Sequence, residues 1–239
     1  MNARISTLSV IILLPGCSLF SKSTTENKPP ATFMGLPLLV VEEFDQPSPR
    51  WDLNDPKAWE YTRDGDRTVL ALARNSTYKP PFRSPPGVAI LKDVTVSDLV
   101  LDAWLRSTHF NYPHRDMCVF FGYQDPARFY YAHLGLKSDS VSNTIHIVDN
   151  ADRRPIIKTR TDGTPWTEGY HHVRVVRKVD TGSVEVFFDD MTTPSMTAET
   201  KTFQWGRIGL ASFDETGNFD RVVLWGHKAN SPEAPPPPR

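Results

Sequence analysis

Two neighbouring stretches in the middle of the chain hold residues suited to proton transfer. His114, Asp116, Cys118, Phe120 and Gly122 recur at alternate positions, and Tyr131 and His133 do so a few residues later. Side chains two apart on a strand share a face. An Asp can orient an imidazole and keep it basic, and His exchanges protons near neutral pH. His114, Asp116, Tyr131 and His133 therefore form a candidate catalytic set, with His133 and Tyr131 as base and acid. A metal held by His114, Asp116 and His133 is the other use of the same donors. On the preceding strand Asp102, Trp104 and Arg106 share a face, with Leu99, Leu101, Ala103 and Leu105 opposite. His146 alternates against Ile145 and Ile147, and Gln124 sits in the turn that links the two central stretches. Taken singly, each His is more often a hydrogen-bonded structural residue. Cys118 reads as a small apolar residue without an activating arrangement.

These residues need strands to hold them, and the chain is rich in strand signals. Segments expected to be strands are Leu38–Glu43, Trp59–Thr62, Thr68–Ala73, Gly87–Leu91, Leu99–Ser107, Met117–Tyr123, Phe129–Leu134, Thr144–Val148, Ile156–Arg160, His171–Arg177, Val184–Asp189, Gly206–Phe213 and Asp220–Trp225. Turn markers such as Asp64-Gly65, Asp125-Pro126 and Asp162-Gly163 separate them. Many short strands without a long helical period predict an all-β sandwich. No repeat of fixed period is present, which argues against a propeller or solenoid.

The hairpin of His171–Arg177 and Val184–Asp189, turning at Asp180-Thr181-Gly182, carries a resemblance. It is similar to the "WHHVRV" and "VEVYFDG" strands of concanavalin A-like and laminin-G-like jelly rolls, with Tyr170 in place of the usual aromatic. That resemblance implies a jelly roll of two curved antiparallel sheets. Val41-Glu42-Glu43-Phe44-Asp45 and Phe219–Trp225 resemble the first and last strands of that superfamily, which pair with each other. The resemblance also implies a structural role for His171 and His172, and a glycan-handling concave sheet. On such a face Trp104 and Tyr131 would cover sugar rings, and Arg106 would meet hydroxyls or a carboxylate. Trp104, Arg106, Gln124 and His146 are thus the expected substrate contacts, and Gly122 would leave room for a ligand. The final strand of such proteins often supplies a calcium carboxylate. Asp220, with Asp45 or Asp214, would hold a structural calcium here, and no other cofactor is required.

The paired carboxylates of laminarinase-type hydrolases are missing, because the glutamates are scattered. Thr144-Ile145-His146 matches only part of a lyase strand. The domain length and layout are similar to the 3-keto-disaccharide hydrolase-like bacterial lipoproteins, without a motif specific to them. Three readings stay open: a glycan-degrading hydrolase or lyase, a noncatalytic carbohydrate-binding lipoprotein, and a structural envelope protein.

The first residues read as a signal. Arg4 precedes an apolar run from Ile5 to Leu14, too short to span a bilayer. Leu14-Pro15-Gly16-Cys17 resembles a bacterial lipobox, which implies cleavage after residue 16, lipidation of Cys17 and an extracytoplasmic, membrane-anchored protein. The expected layout is signal 1–16, lipidated Cys and polar tether 17–34, β-sandwich 35–228 and Pro-rich tail 229–239. The net charge of -1 and the lack of a basic run argue against nucleic acid as a partner. With only two cysteines, one of them in the lipobox, no disulfide framework is expected.

Overall fold

The computed structural model describes residues 28–230, and every named element in that span is a strand. In chain order these are β1 Thr32–Phe33, β2 Leu36–Glu42, β3 Trp51–Leu53, β4 Trp59–Asp64, β5 Arg67–Leu72 and β6 Gly87–Leu91. The long central strands follow: β7 Val96–Ser107, β8 Asp116–Asp125, β9 Arg128–Gly135 and β10 Thr144–Asp149. Then come β11 Arg154–Pro155, β12 Ile157–Arg160, β13 His171–Lys178, β14 Ser183–Phe188, β15 Met196–Glu199, β16 Arg207–Ser212 and β17 Gly217–Lys228. The lipobox and Cys17 lie outside the described residues.

The strands form two antiparallel sheets. The first runs β1-β2-β17-β7-β13-β14-β15-β12, with β5 also on β17 and β4 on β5. The second runs β11-β10-β9-β8-β16-β6-β3. The opening strand β2 and the closing strand β17 pair, through Val223↔Val41 and Leu224↔Val40. The expected domain start at residue 35 falls within the β1–β2 hairpin, so residues assigned to the tether are built into the first sheet.

Period-two alternation builds the core. Leu99, Leu101, Ala103 and Leu105 of β7 and Val173 and Val175 of β13 face Met117, Val119 and Phe121 of β8 and Ala132 and Leu134 of β9. Each fully buried Val, Leu or Phe contributes about 1.5–3 kcal/mol, so this layer carries the fold; among the described residues Cys118 is a buried free thiol. Strand β17 reaches the core through Phe219 and then Val222 and Leu224, a change of parity made by a register shift between Phe219 and Arg221. A second irregularity lies between Phe121 and Asp125 of β8. There Gly122 takes φ 60°, and a Cβ would sit 2.9 Å from the Tyr130 ring. The space expected beside Gly122 for a ligand is therefore filled by Tyr130 and Arg177.

Both sheets also pack apolar groups on their outer faces. On the second sheet these are Cys118, Phe120, Phe129, Tyr131 and Val148, with Phe82 and Phe213 against them. On the first they are Val100, Val176, Val223 and Trp225, with Phe33 and Trp104.

Candidate functional site

The residues expected to share one groove divide between the two sheets. Strands β7 and β8 each turn an apolar face to the core, but β7 pairs with β13 and β17 while β8 pairs with β9 and β16. Their polar faces therefore point away from one another. Trp104 and Arg106 lie on the outer face of the first sheet. Trp104 stacks on His172 at 4.2 Å between ring centroids. Arg106 pairs with Asp64 at 3.0 Å and lies 5.5 Å from the centroid of the Tyr170 ring. Gln124 sits at the far end of β8, donating to the Trp205 carbonyl at 3.3 Å. His114 precedes β8 and is exposed, with Nδ1 3.7 Å from an Asp139 oxygen. Asp220 pairs with Arg67. Asp45 lines a separate surface depression formed by residues 42–49.

Asp116, Cys118, Tyr131, His133 and His146 do converge, on the outer face of the second sheet. Cys118 lies opposite His133, and His146 opposite Tyr131. His133 Nδ1 lies 2.7 Å from the Val141 carbonyl, and its Nε2 lies 2.8 Å from Asp116 Oδ2. A carbonyl only accepts, so Nδ1 carries a proton and donates it. Nε2 then faces a carboxylate oxygen across a contact that needs positive charge between the two atoms. The other Asp116 oxygen accepts from Ser212 Oγ at 3.3 Å, and the same hydroxyl lies 3.5 Å from Glu215 Oε2. Tyr112 donates its hydroxyl to Glu215. Burial pushes the Glu215 carboxyl up to about 7.

This set is covered. Asp116 is 3% exposed, His133 4%, and Tyr131 and His146 0%. Phe213 lies over His133 at 5.1 Å between centroids, and the Arg153 guanidinium caps Phe213 at 4.3 Å. Arg153 also donates to the Tyr131 hydroxyl at 3.3 Å. Burial, only partly opposed by Arg153, raises the Tyr131 phenol far above its ordinary range. Burial first, and the cationic neighbours second, push His146 down to about 2, so it is a neutral imidazole.

An open pocket lies farther along the same face. It encloses about 420 Å³, solvent at its mouth included, and Asp52, Asn54, Tyr78, Phe120, Tyr123 and Phe129 are among its walls. Tyr123 and Phe129 stack at 5.5 Å, and Phe129 stacks on Phe120 at 4.8 Å. Asn54 is held by the Pro86 carbonyl and by the Val88 amide, at 2.5 and 3.0 Å. The exposed Asp52 carboxylate on β3 and the half-buried Tyr78 stand among its walls. Sequence reasoning missed Asp52, Tyr78, Arg153 and Glu215. Asp52 sits on a three-residue strand and the others lie in loops, where no periodicity marks them.

No family model matches the sequence, and no curated protein matches it. Solved structures match in shape. The carbohydrate binding module CBM66 from Bacillus subtilis has a TM-score of 0.54 at 16% identity, over 74% of this chain and 96% of that one. The GH43 BlXynB protein from Bacillus licheniformis has 0.55 at 9% identity, over 78% of this chain and 39% of that one. The xylan beta-1,4-xylosidase from Bacillus halodurans C-125 has 0.52 at 13% identity, over 77% of this chain and 38% of that one. The chain has the concanavalin A-like β-sandwich fold. Likenesses at such identities speak for the fold alone.

Proposed function

We propose that this protein is an extracytoplasmic glycan-binding β-sandwich, tethered through a lipid on Cys17, whose ligand occupies the pocket between Asp52, Tyr78 and Tyr123. The carrying observation is that this pocket is open and aromatic, with a carboxylate at its edge. Aromatic rings suit the apolar faces of sugars, and a carboxylate accepts from pairs of hydroxyls. The kinship in fold to a carbohydrate binding module supports the same reading. The Asp116, Tyr131 and His133 set is buried under Phe213 and Arg153 and offers no free face to a polymer, which favours binding over hydrolysis or elimination.

A glycan array followed by calorimetry tests the proposal. Tyr78→Ala and Asp52→Ala should each weaken binding about tenfold, the order of one lost stacking or charged contact, with little change in Tm because neither side chain belongs to a buried cluster. Undiminished affinity in the double variant would remove the pocket from the function. Sugar product released by the wild type and lost in His133→Ala would instead make Asp116, Tyr131 and His133 an enzyme's machinery.

A further inference from the structure

Asp116, Cys118 and His133 each offer one ligand atom, and the three atoms lie within 4.8 Å of one another. All three side chains are buried. Carboxylate, thiolate and imidazole together suit zinc better than the oxygen-seeking alkaline earths. The surroundings are arranged as a ligand shell needs. The Val141 carbonyl accepts from His133 Nδ1–H and so leaves the Nε2 lone pair turned towards Asp116. That pairing of a ligating histidine with a carbonyl is the usual outer support of a metal. Ser212 steadies the second oxygen of Asp116. An independent observation comes from the next strand. His146 is wholly buried, and neither of its ring nitrogens has a hydrogen-bond partner among the described residues. Its ring stacks on Tyr131 at 4.9 Å and lies 6.1 Å from that of His133. A buried imidazole without a partner is costly, and a water completing the coordination of a metal would give one of its ring nitrogens a hydrogen bond.

We propose that Asp116, Cys118 and His133 bind a zinc ion on the covered face of the second sheet, with a water in the fourth position turned towards His146. Binding releases to solvent both the Cys118 thiol proton and the proton shared between His133 and Asp116, and Asp116 with the resulting thiolate balances the two positive charges of the metal. Enclosure beneath Phe213 and Arg153 makes the site structural, fixing the aromatic floor that runs from Tyr131 through Phe120 into the glycan pocket.

The test is a titration of the chelator-stripped protein with Co2+ as the probe, followed by Zn2+. About one equivalent of Co2+ should bind with a thiolate-to-cobalt charge-transfer band in the near ultraviolet, and Zn2+ should abolish the band and raise Tm. Cys118→Ala should lose the band while keeping its far-ultraviolet circular dichroism, because a small apolar residue fills that position. His146→Ala should keep the band and weaken Co2+ affinity about tenfold or more, the loss of one ligand's support. Folded wild-type protein that shows no charge-transfer band and no Tm response to Zn2+ overturns the proposal, and leaves a shared proton as the charge between His133 and Asp116. A band that survives in Cys118→Ala overturns it equally. The glycan-binding result is read separately, so the two proposals can fail independently.

Discussion

Glu215 is a carboxyl whose environment resists ionisation. Burial is the main cause of its rise from 4.5 to about 7, and Tyr112 and Ser212 are the hydroxyls against it, with Asp116 beyond Ser212. The raised value fixes the sign of its effect. The unfolded chain loses this proton near the ordinary value, while the folded chain keeps it until about 7. Over that window the folded state binds more protons, so stability falls as pH rises, and the loss is complete above it. Glu215→Gln cannot ionise and keeps an oxygen for Tyr112. Its stability relative to the wild type should therefore improve between about pH 5 and about pH 8, measured by urea unfolding at both. Parallel pH profiles for the two proteins would show that the carboxyl ionises freely in the fold.

Asp102 makes its case at the level of neighbouring strands. It stands on β7 opposite Arg174 of β13, whose Nε and one terminal nitrogen donate to its two oxygens at 2.6 Å each. His172 approaches the same carboxylate at 3.2 Å. Burial opposes ionisation, but the bonds from Arg174 and His172 outweigh it and hold the carboxyl below its ordinary range. The stability this contributes is present above the unfolded value and lost as pH falls towards the depressed one. Asp102→Asn should cost about 3–5 kcal/mol by leaving Arg174 without its counter-charge on a packed face. Chemical unfolding near neutral pH measures that cost, and the variant's stability should fall less steeply in acid. A cost below about 1 kcal/mol would class the pair with ordinary surface bridges. The alternation on which this rests was readable in the sequence, since Asp102, Trp104 and Arg106 do oppose Leu99, Leu101 and Leu105. The sheet that each polar face belongs to was not. A period of two says which side chains share a face, but only pairing decides the neighbours, so Trp104 and His133 were expected together and stand on different sheets. The bulges at Gly122 and before Arg221 leave no periodic mark either. The pocket leaves no single periodic mark, because Asp52 lies on a three-residue strand, Tyr78 in a loop, and Phe120, Tyr123 and Phe129 on two neighbouring strands.

Across the whole molecule, the two chain ends lock the first sheet, leaving the outer face of the second to the proposed sites. Strands β2 and β17 pair, and the residues just before β2 fold over the outer face of the first sheet. Trp225 donates its indole N–H to the Pro30 carbonyl at 2.9 Å, Phe33 packs on Trp225 at 5.2 Å, and Arg174 lies 4.5 Å from the centroid of the Phe33 ring. A chain that begins at Leu36 loses all three contacts. One hydrogen bond and one aromatic pair are together worth about 2 kcal/mol, which for a domain of this size is about 4–8 °C in Tm. A chain that begins at Lys28 keeps them and should melt with the full-length protein. Both should bind glycan equally, because the pocket is on the opposite sheet. Thermal unfolding and calorimetry on the two chains check this. Equal Tm values would make the N-terminal clasp energetically idle. A loss of binding in the shorter chain would show that the first sheet's outer face communicates with the pocket.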